Sequence, residues 1–144
     1  MKVIANNKKA TYDYDISLKI NSGLVLTGSE VKSLRVNSSS IKEAYVQEKK
    51  GELWLCNCYI KKYNSSSDKL NEPIRQRKLL ISKKELNKLL GPIKKDGFSI
   101  IPLSIYFNEN GLVKLNIGLG KGKKKYDKRQ SEKLKDWNKN KQRL

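Results

Sequence analysis

The stretch FSIIPLSIYFNENGLVKLNI, residues 98–117, decides the fold class of this 144-residue chain. Phe98 to Phe107 is a long extended run. Pro102 within it predicts a sheet edge or a β-bulge, because proline cannot donate a hydrogen bond to a neighbouring strand. Asn108 to Gly111 supplies turn residues, and Leu112 to Ile117 returns as a second strand. The stretch therefore predicts an antiparallel hairpin.

Further short strands lie on the N-terminal side of this hairpin. Apolar and polar residues alternate from Tyr12 to Ile20, which predicts a half-buried strand. The turn residues Asn21 to Gly23 and the extended run Leu24 to Leu26 predict that this strand belongs to a hairpin. A further hairpin turns at Lys49 to Gly51 and returns as the apolar run from Leu53 to Ile60. About six or seven short strands separated by frequent turns predict a mainly β chain that forms a small closed antiparallel barrel.

Two short helices are predicted between the strands. In the first, Ser29 supplies the N-cap, and Glu30 lies in the first turn with its side chain directed outward or sideways. In the second, Ser82 and Glu85 form a capping box. The pair Gly91-Pro92 is predicted to end this second helix.

The charge of the chain indicates a polyanionic partner. The net charge is +18, and the isoelectric point is near 9.9. Lysine and arginine gain affinity for phosphates by displacing counterions. The sequence contains no run of about 18 apolar residues, so it predicts no membrane-spanning helix. The N-terminus has no apolar region typical of a secretory signal. We therefore expect no membrane partner and a cytoplasmic location.

The residue types that most enzymes and metal sites use are scarce. The chain has no histidine, which is the usual general base near neutral pH and the commonest metal ligand. Cys56 and Cys58 lie two residues apart on a predicted strand, which indicates two buried thiols on one face. A zinc site would need about four ligands, and the sequence has no second pair. We expect no metal, no cofactor and no enzymatic activity.

The glycines at positions 118, 120 and 122 precede a run of lysines. Their spacing matches neither G-x-G-x-x-G nor G-x-x-x-x-G-K-[ST], so we interpret them as a hinge rather than a nucleotide-binding loop. The hinge would join a body, residues 1–120, to a flexible basic tail, residues 121–144. Eleven of the 32 lysines and arginines lie in this tail, and its few apolar residues predict that it becomes ordered only on a partner.

Basic residues also cluster in the body, at Lys8-Lys9, at Arg75 to Lys78 and at Lys114. A single charge cluster usually means a solvated surface, but several clusters together with this net charge favour RNA or DNA as the partner. Tyr12 and Tyr14 are candidates for stacking on bases, or for half-buried positions in a strand.

Four motifs, in this order along the chain, resemble those of one protein family. They are IANNKKA followed by YDY within residues 4–14, GSEVKSLR at 28–35, RQRKLLI at 75–81 and GKKKYDKR at 122–129. From Val3 to Trp137 the chain is similar to the SsrA-binding protein (small protein B) family, the protein partner of transfer-messenger RNA.

The resemblance implies an oligonucleotide-binding-like (OB-like) barrel with about three flanking helices. It implies an RNA-binding adaptor of trans-translation, a monomer that binds no DNA. The protein would bind the tRNA-like domain of transfer-messenger RNA and deliver it to stalled ribosomes, with elongation factor Tu as an indirect partner. The tail would enter the decoding centre and the empty mRNA channel and become helical, and the stalled peptide would be tagged. The alternative is a generic ribosome-associated or single-strand RNA-binding protein with a basic extension.

The resemblance also implies site residues. Family positions linked to RNA binding are occupied by Asn7, Tyr14, Glu30, Leu80 and Lys114. From charge we add Lys8, Lys9, Lys32, Arg35, Arg75, Arg77 and Lys78. Glu30 would either accept hydrogen bonds from base amino groups or orient a neighbouring arginine. The tail residues expected to contact the ribosome are Lys123, Lys124, Lys125, Tyr126, Asp127, Lys128, Arg129 and Trp137. Asn21 stands where many relatives have a glutamate implicated in RNA binding, and Tyr126 stands where histidine is frequent.

Overall fold

A computed structural model of the chain describes residues 2–63, 72–95 and 97–123. The prediction of a mainly β chain is confirmed: the described residues form seven strands and three helices. In chain order these are β1 (Lys2–Asn6), α1 (Ala10–Asp13), β2 (Tyr14–Leu24), α2 (Gly28–Val36), β3 (Tyr45–Lys49), β4 (Glu52–Cys56), β5 (Arg77–Leu80), α3 (Lys83–Lys95), β6 (Ser99–Phe107) and β7 (Val113–Gly122).

The seven strands form one antiparallel sheet in the order β1-β6-β7-β2-β5-β4-β3. The predicted closed barrel is wrong, because no strand ladder among the described residues joins the edge strand β3 to β1 or β6. β1 pairs only with the C-terminal half of β6, from Ser104 to Phe107. At the other half, Asn7 hydrogen-bonds the carbonyls of Pro102 and Leu103. Asn7 therefore takes the carbonyl oxygens of β6 to which β3 would have to bond if the barrel were closed.

Two of the three predicted hairpins are confirmed, and the one with its turn at Asn21 to Gly23 is wrong. β6 and β7 are joined by a turn in which the side chain of Asn108 accepts from the N–H groups of Asn110 and Leu112 at 3.0 and 2.9 Å. β3 and β4 are joined by Lys50 and Gly51 with φ of 51° and 78°, a turn that suits the right-handed twist of a hairpin. Pro102 lies at a register shift between β6 and β7, as the bulge alternative predicted; β6 is not an edge strand.

The predicted turn at Asn21 to Gly23 is wrong, because β2 continues through it to Leu24. Asn21 pairs with Asn116, and the buried hydroxyl of Ser22 donates to the carbonyl oxygen of Leu115 at 3.0 Å. Ladder pairing on both sides thus overrides the local turn preference. At its other end the strand begins at Tyr14, so Tyr12 lies in α1 and not in a strand.

Both longer helices differ from their predictions at one end. α2 is capped by Thr27, two residues before Ser29, since Thr27 Oγ1 accepts from the Glu30 N–H at 3.2 Å. α3 begins as predicted, with the hydroxyl of Ser82 accepting from the N–H of Glu85. It continues through Gly91-Pro92 to Lys95, contrary to the predicted stop. The extra turn lets Ile93 pack against the core in line with Leu86 and Leu89, which outweighs the local effect of proline.

The glycines at the end of β7 are not a hinge. Gly118 and Gly120 lie inside the ladder, paired with β2 and β6, and both are buried. A Cβ at Gly118 would lie 2.9 Å from Ile16 Cγ2, and one at Gly120 would lie 2.7 Å from Ile101 Cδ1. The glycines therefore allow neighbouring side chains to approach the backbone closely. The strand extends to Gly122, and a division of the chain after residue 120 stays a prediction.

The core is built from buried side chains of the strands and of α3. Leu55, Ile105, Leu115 and Ile117 have no exposed surface, and α3 adds Leu89. The predicted burial of both free cysteines is confirmed, although Cys58 lies beyond the end of β4 because Asn57 adopts a φ of 57°. Within the described part of the chain, no helix is long and apolar enough to cross a membrane.

Candidate nucleic-acid interface

The predicted RNA-binding residues separate into three places in the structure. Glu30, Arg75 and Arg77 form a buried ion cluster between α2 and β5. Arg35, Leu80 and Lys114 line one surface concavity. Asn7, Lys9 and Tyr14 line a cleft at the gap between β3 and β6, and Lys8 lines a smaller cleft beside it. The remaining two, Lys32 and Lys78, lie outside these places.

The ion cluster, Glu30, Arg75 and Arg77, is built on a single carboxylate. Arg75 binds Glu30 with both Nε and Nη2, and Arg77 Nε donates to Glu30 Oε2 at 2.6 Å. The backbone N–H of Thr27 donates to Glu30 Oε1 at 3.0 Å. Both carboxylate oxygens are therefore occupied by protein donors. Glu30 is 4% exposed, so of the two predicted orientations, outward and sideways, the outward one is wrong.

Arg77 is the fully buried member of the ion cluster. Its side chain is fully buried, and its Nη1 and Nη2 donate to the carbonyls of Cys58 and Pro73 at 2.7 and 3.1 Å. The direct RNA contact predicted for Arg77 does not agree with this burial, because the guanidinium has no surface to offer. The Glu30 carboxylate accepts hydrogen bonds from both neighbouring arginines, a geometry that agrees with the second of the two roles predicted for it. Arg75 keeps 22% of its side chain exposed.

Burial is the largest single influence on the carboxyl of Glu30, and by itself it would raise the pKa. The hydrogen bonds from Arg75, the Thr27 N–H and Arg77 act in the opposite direction and together outweigh it. The net effect is a pKa below the ordinary value of 4.5. The cluster therefore stays ionised at neutral pH and joins the start of α2 firmly to β5.

The concavity that holds Arg35, Leu80 and Lys114 has a volume of about 380 Å³. We call it the Gly23 concavity, because Gly23 is the register partner of both Leu80 in β5 and Lys114 in β7. Its lining also includes Leu112, which the sequence analysis did not single out. No local sequence signal marks Leu112 as a lining residue, because the concavity depends on the register of β2 with β5 and β7.

The gap between β3 and β6 holds a second group of basic residues. A cleft of about 480 Å³ is lined by Asn7, Lys9 and Tyr14, and it also contains Lys42, which the sequence analysis missed. This cleft adjoins the start of β2, and the Gly23 concavity adjoins its end. Gly23 lies nine positions after Tyr14 along β2, which corresponds to about 30 Å of extended strand between the two surfaces.

The remaining predicted residues are less informative. Lys32 is exposed on α2, and Lys78 pairs with Glu52 at 3.1 Å on the surface. The N–H of Lys123 donates to the carbonyl oxygen of Asp13 at 2.9 Å. Seven predicted tail residues lie outside the described part of the chain: Lys124, Lys125, Tyr126, Asp127, Lys128, Arg129 and Trp137. Among the described residues, no group of three or more histidine, cysteine, aspartate or glutamate side chains could hold a metal ion.

Comparison with known proteins places this surface in context. The SmpB protein family matches residues 4–144. The SsrA-binding protein of Ehrlichia canis is 53% identical over 144 residues, which cover 100% of this chain and 97% of that protein. The SsrA-binding protein of Rhizobium meliloti is 50% identical over 143 residues, covering 99% and 90%. A solved structure, described as "tmRNA-SmpB: a journey to the center of the bacterial ribosome", matches with a TM-score of 0.68 at 41% identity and covers 87% of both chains.

Proposed function

Because the chain belongs to the SmpB protein family, we propose that it is an RNA-binding adaptor of trans-translation. It binds the tRNA-like domain of transfer-messenger RNA and brings this RNA to stalled ribosomes. The observation that carries the proposal is the family match along residues 4–144, which includes both the sheet and the basic C-terminal segment.

The Gly23 concavity provides the chemistry that such binding needs. Structured RNA is recognised mostly through its shape, phosphates and sugar hydroxyls. Arg35 and Lys114 supply positive charge at the concavity, and Leu80 supplies exposed apolar surface. The larger distant cleft contains Asp13 and Glu43 as well as Lys9 and Lys42, whereas the charged residues described in the lining of the smaller cleft beside it are Lys8, Lys9 and Lys42. In this proposal the body holds the RNA at these surfaces, with the Gly23 concavity as the principal site.

The basic segment after Lys123 is assigned a separate task in this proposal. It contacts the decoding centre and the empty mRNA channel of the ribosome, while elongation factor Tu acts on the same RNA without requiring a site on this chain. Up to Lys123 the backbone is held by β7 and by the hydrogen bond to Asp13. A truncation that tests the division should therefore end after Lys123, not after Gly120.

A competition experiment tests the RNA assignment. The labelled tRNA-like domain is bound to the full chain, and unlabelled tRNA-like domain or single-stranded RNA of equal length is added. We expect the tRNA-like domain to displace the label at a much lower concentration, because a preformed concavity recognises a folded RNA. Equal displacement by the single strand would instead favour a generic single-strand RNA-binding protein.

A second measurement tests the task of the segment after Lys123. The chain truncated after Lys123 should bind the tRNA-like domain nearly as well as the full chain at moderate salt, yet fail to support peptide tagging on stalled ribosomes. Normal tagging by the truncated chain would contradict the division of labour. The full chain, purified in the same way, is the control for both assays.

A further inference from the structure

Helix α3 has an exposed side that is made mostly of lysines. On its inner side, Leu89 is fully buried and Ile93 packs against the core. Four residues correspond to about one turn of helix and eleven to about three turns, so side chains at these spacings share the outer side. The charged residues exposed there are Lys83, Lys84, Lys88 and Lys94, which we call the α3 lysine face.

The α3 lysine face has little negative charge to balance it. Glu85 is the one acidic residue from position 83 to position 95, and its Oε1 accepts a hydrogen bond of 3.1 Å from the hydroxyl of Ser82. Among the described residues, none of the four lysines lies within salt-bridge distance of a carboxylate. Like charges one turn apart on a helix repel each other, so an anionic partner would stabilise this side of α3.

The position of α3 connects this face with surfaces that the proposed function assigns to RNA. Lys83 follows Leu80, which lines the Gly23 concavity, by three residues, or at most about 11 Å of chain. Beyond the other end of α3, the Nζ of Lys121 lies 5.9 Å from the centroid of the Phe98 ring. Lys121 is near the end of β7, just before the basic C-terminal segment. The helix therefore leads from the concavity towards the place where that segment begins.

The chemistry of the face suits the backbone of a double helix. Single-stranded nucleic acid is bound by aromatic side chains on which its bases stack, and the sequence of α3 contains no aromatic residue. Double-stranded RNA is recognised through its shape, phosphates and sugar hydroxyls. Lysine supplies a compact point charge for phosphate, and the amide of Asn87, exposed among the lysines, can bond to phosphate or to a ribose hydroxyl. The lysines extend along about 16 Å of rigid helix, which suits a continuous run of phosphates.

We propose that the α3 lysine face holds the phosphate backbone of a double-helical arm of the bound RNA. The arm adjoins the part of the same RNA that lies at the Gly23 concavity. Because α3 is packed on the core, the lysines keep a fixed position relative to the concavity, and the pair of surfaces selects an RNA whose arm lies at the right distance. This inference rests on the proposed RNA-binding function and adds a second surface to it.

The experiment removes two charges from the face and shortens the RNA arm that they would hold. The protein variant is Lys84→Gln/Lys88→Gln, because glutamine has a helix propensity close to that of lysine. The matched control is Lys49→Gln/Lys50→Gln, which removes two exposed charges at the tip of the β3–β4 hairpin. The RNA variants are tRNA-like domains in which one helical arm at a time is shortened. Dissociation constants are measured over a range of salt for every pair, and urea unfolding establishes that the variants are folded.

We expect Lys84→Gln/Lys88→Gln to weaken binding of the intact tRNA-like domain by about 5- to 30-fold at moderate salt and to lower the salt slope by about 1.4–1.8. Shortening one particular arm should weaken the parent by a similar factor. The variant should then bind that shortened RNA like the parent, because the two changes remove the same contact. Lys84→Arg/Lys88→Arg keeps the charge and should bind like the parent, as should the hairpin control.

The results separate this inference from the function on which it rests. Failure of the parent to prefer the tRNA-like domain over a single strand would overturn the proposed function, and the inference with it. Preferential binding by the parent, with the same affinity and salt slope for Lys84→Gln/Lys88→Gln, would overturn the inference alone. If peptide tagging were lost in that case, the face would belong to a contact with the ribosome. An equal loss of affinity on every shortened RNA, or in the hairpin control, would indicate a general effect of net charge and would also overturn the inference.

Discussion

The ion cluster and the Gly23 concavity both contain cations that the sequence assigned to RNA binding, yet they differ in what those cations do. Arg77 is fully buried, and its guanidinium bonds are all to the protein. Arg35 and Lys114 line a surface whose lining, among the described residues, contains no acidic side chain. The difference lies in the position of one carboxylate, Glu30. A cation within its reach stabilises the fold, and a cation away from it remains available to phosphate.

The largest effect that could break this comparison is the loss of Arg77. Arg77→Ala leaves the buried carboxylate of Glu30 with fewer partners and removes the donors to two carbonyls. Removing one partner of a buried ion pair typically costs about 3–5 kcal/mol of unfolding free energy. Urea unfolding monitored by circular dichroism measures this loss. Arg35→Ala is the control, expected to lie within about 0.5 kcal/mol of the parent.

A second test uses pH. Glu30→Gln should destabilise the chain by about 2–3 kcal/mol at pH 7, since it removes charge-assisted hydrogen bonds. The folded pKa of Glu30 is below 4.5, so its ionised form contributes stability in full above pH 4.5. That contribution is lost as the pH falls through the folded pKa. The difference between parent and Glu30→Gln should therefore shrink below pH 4.5, and a difference that is constant from pH 7 to pH 3 would contradict the cluster.

The contrast between Arg77 and Arg35 explains why the site was only partly predictable from sequence. Charge alone placed Arg77 and Arg35 in one class, because a sequence does not show which cation meets a carboxylate 47 residues earlier in the chain. Leu80 and Lys114 were identified through the family resemblance. Leu112 and Gly23 were missed, since their meaning depends on the register of three strands. That register follows from long-range pairing and is absent from any local pattern.

The fold was predictable to a similar degree. Local signals identified the hairpin turns, such as Asn108 to Gly111, and the start of α3 at Ser82. They failed where tertiary packing opposed them. Asn21 to Gly23 stays extended because it pairs within the sheet, and α3 continues past Pro92 because Ile93 packs against the core. Whether the sheet closes into a barrel also depends on whether its edge strands β1 and β3 meet, and no local sequence pattern determines this.

A third test concerns the glycines of β7, which the sequence suggested as a hinge. A Cβ at Gly120 would lie 2.7 Å from Ile101 Cδ1 and 3.2 Å from Tyr14 Cβ. Gly120→Ala should therefore cost about 1–2 kcal/mol of unfolding free energy through overpacking. At Gly122 an added Cβ meets nothing within 4 Å, so Gly122→Ala should be nearly neutral. Equal, small effects at both positions in thermal unfolding would restore the hinge interpretation.

The salt dependence of RNA binding tests the central claim most directly, namely that the exposed cations of the Gly23 concavity bind RNA. Affinity for the tRNA-like domain is measured between low and moderate salt for the parent and for Arg35→Ala/Lys114→Ala. Each phosphate contact contributes about 0.7–0.9 to the slope of log affinity against log salt. We predict that the double variant keeps the unfolding free energy of the parent and lowers this slope by about 1.4–1.8. An unchanged slope with unchanged affinity would contradict the account.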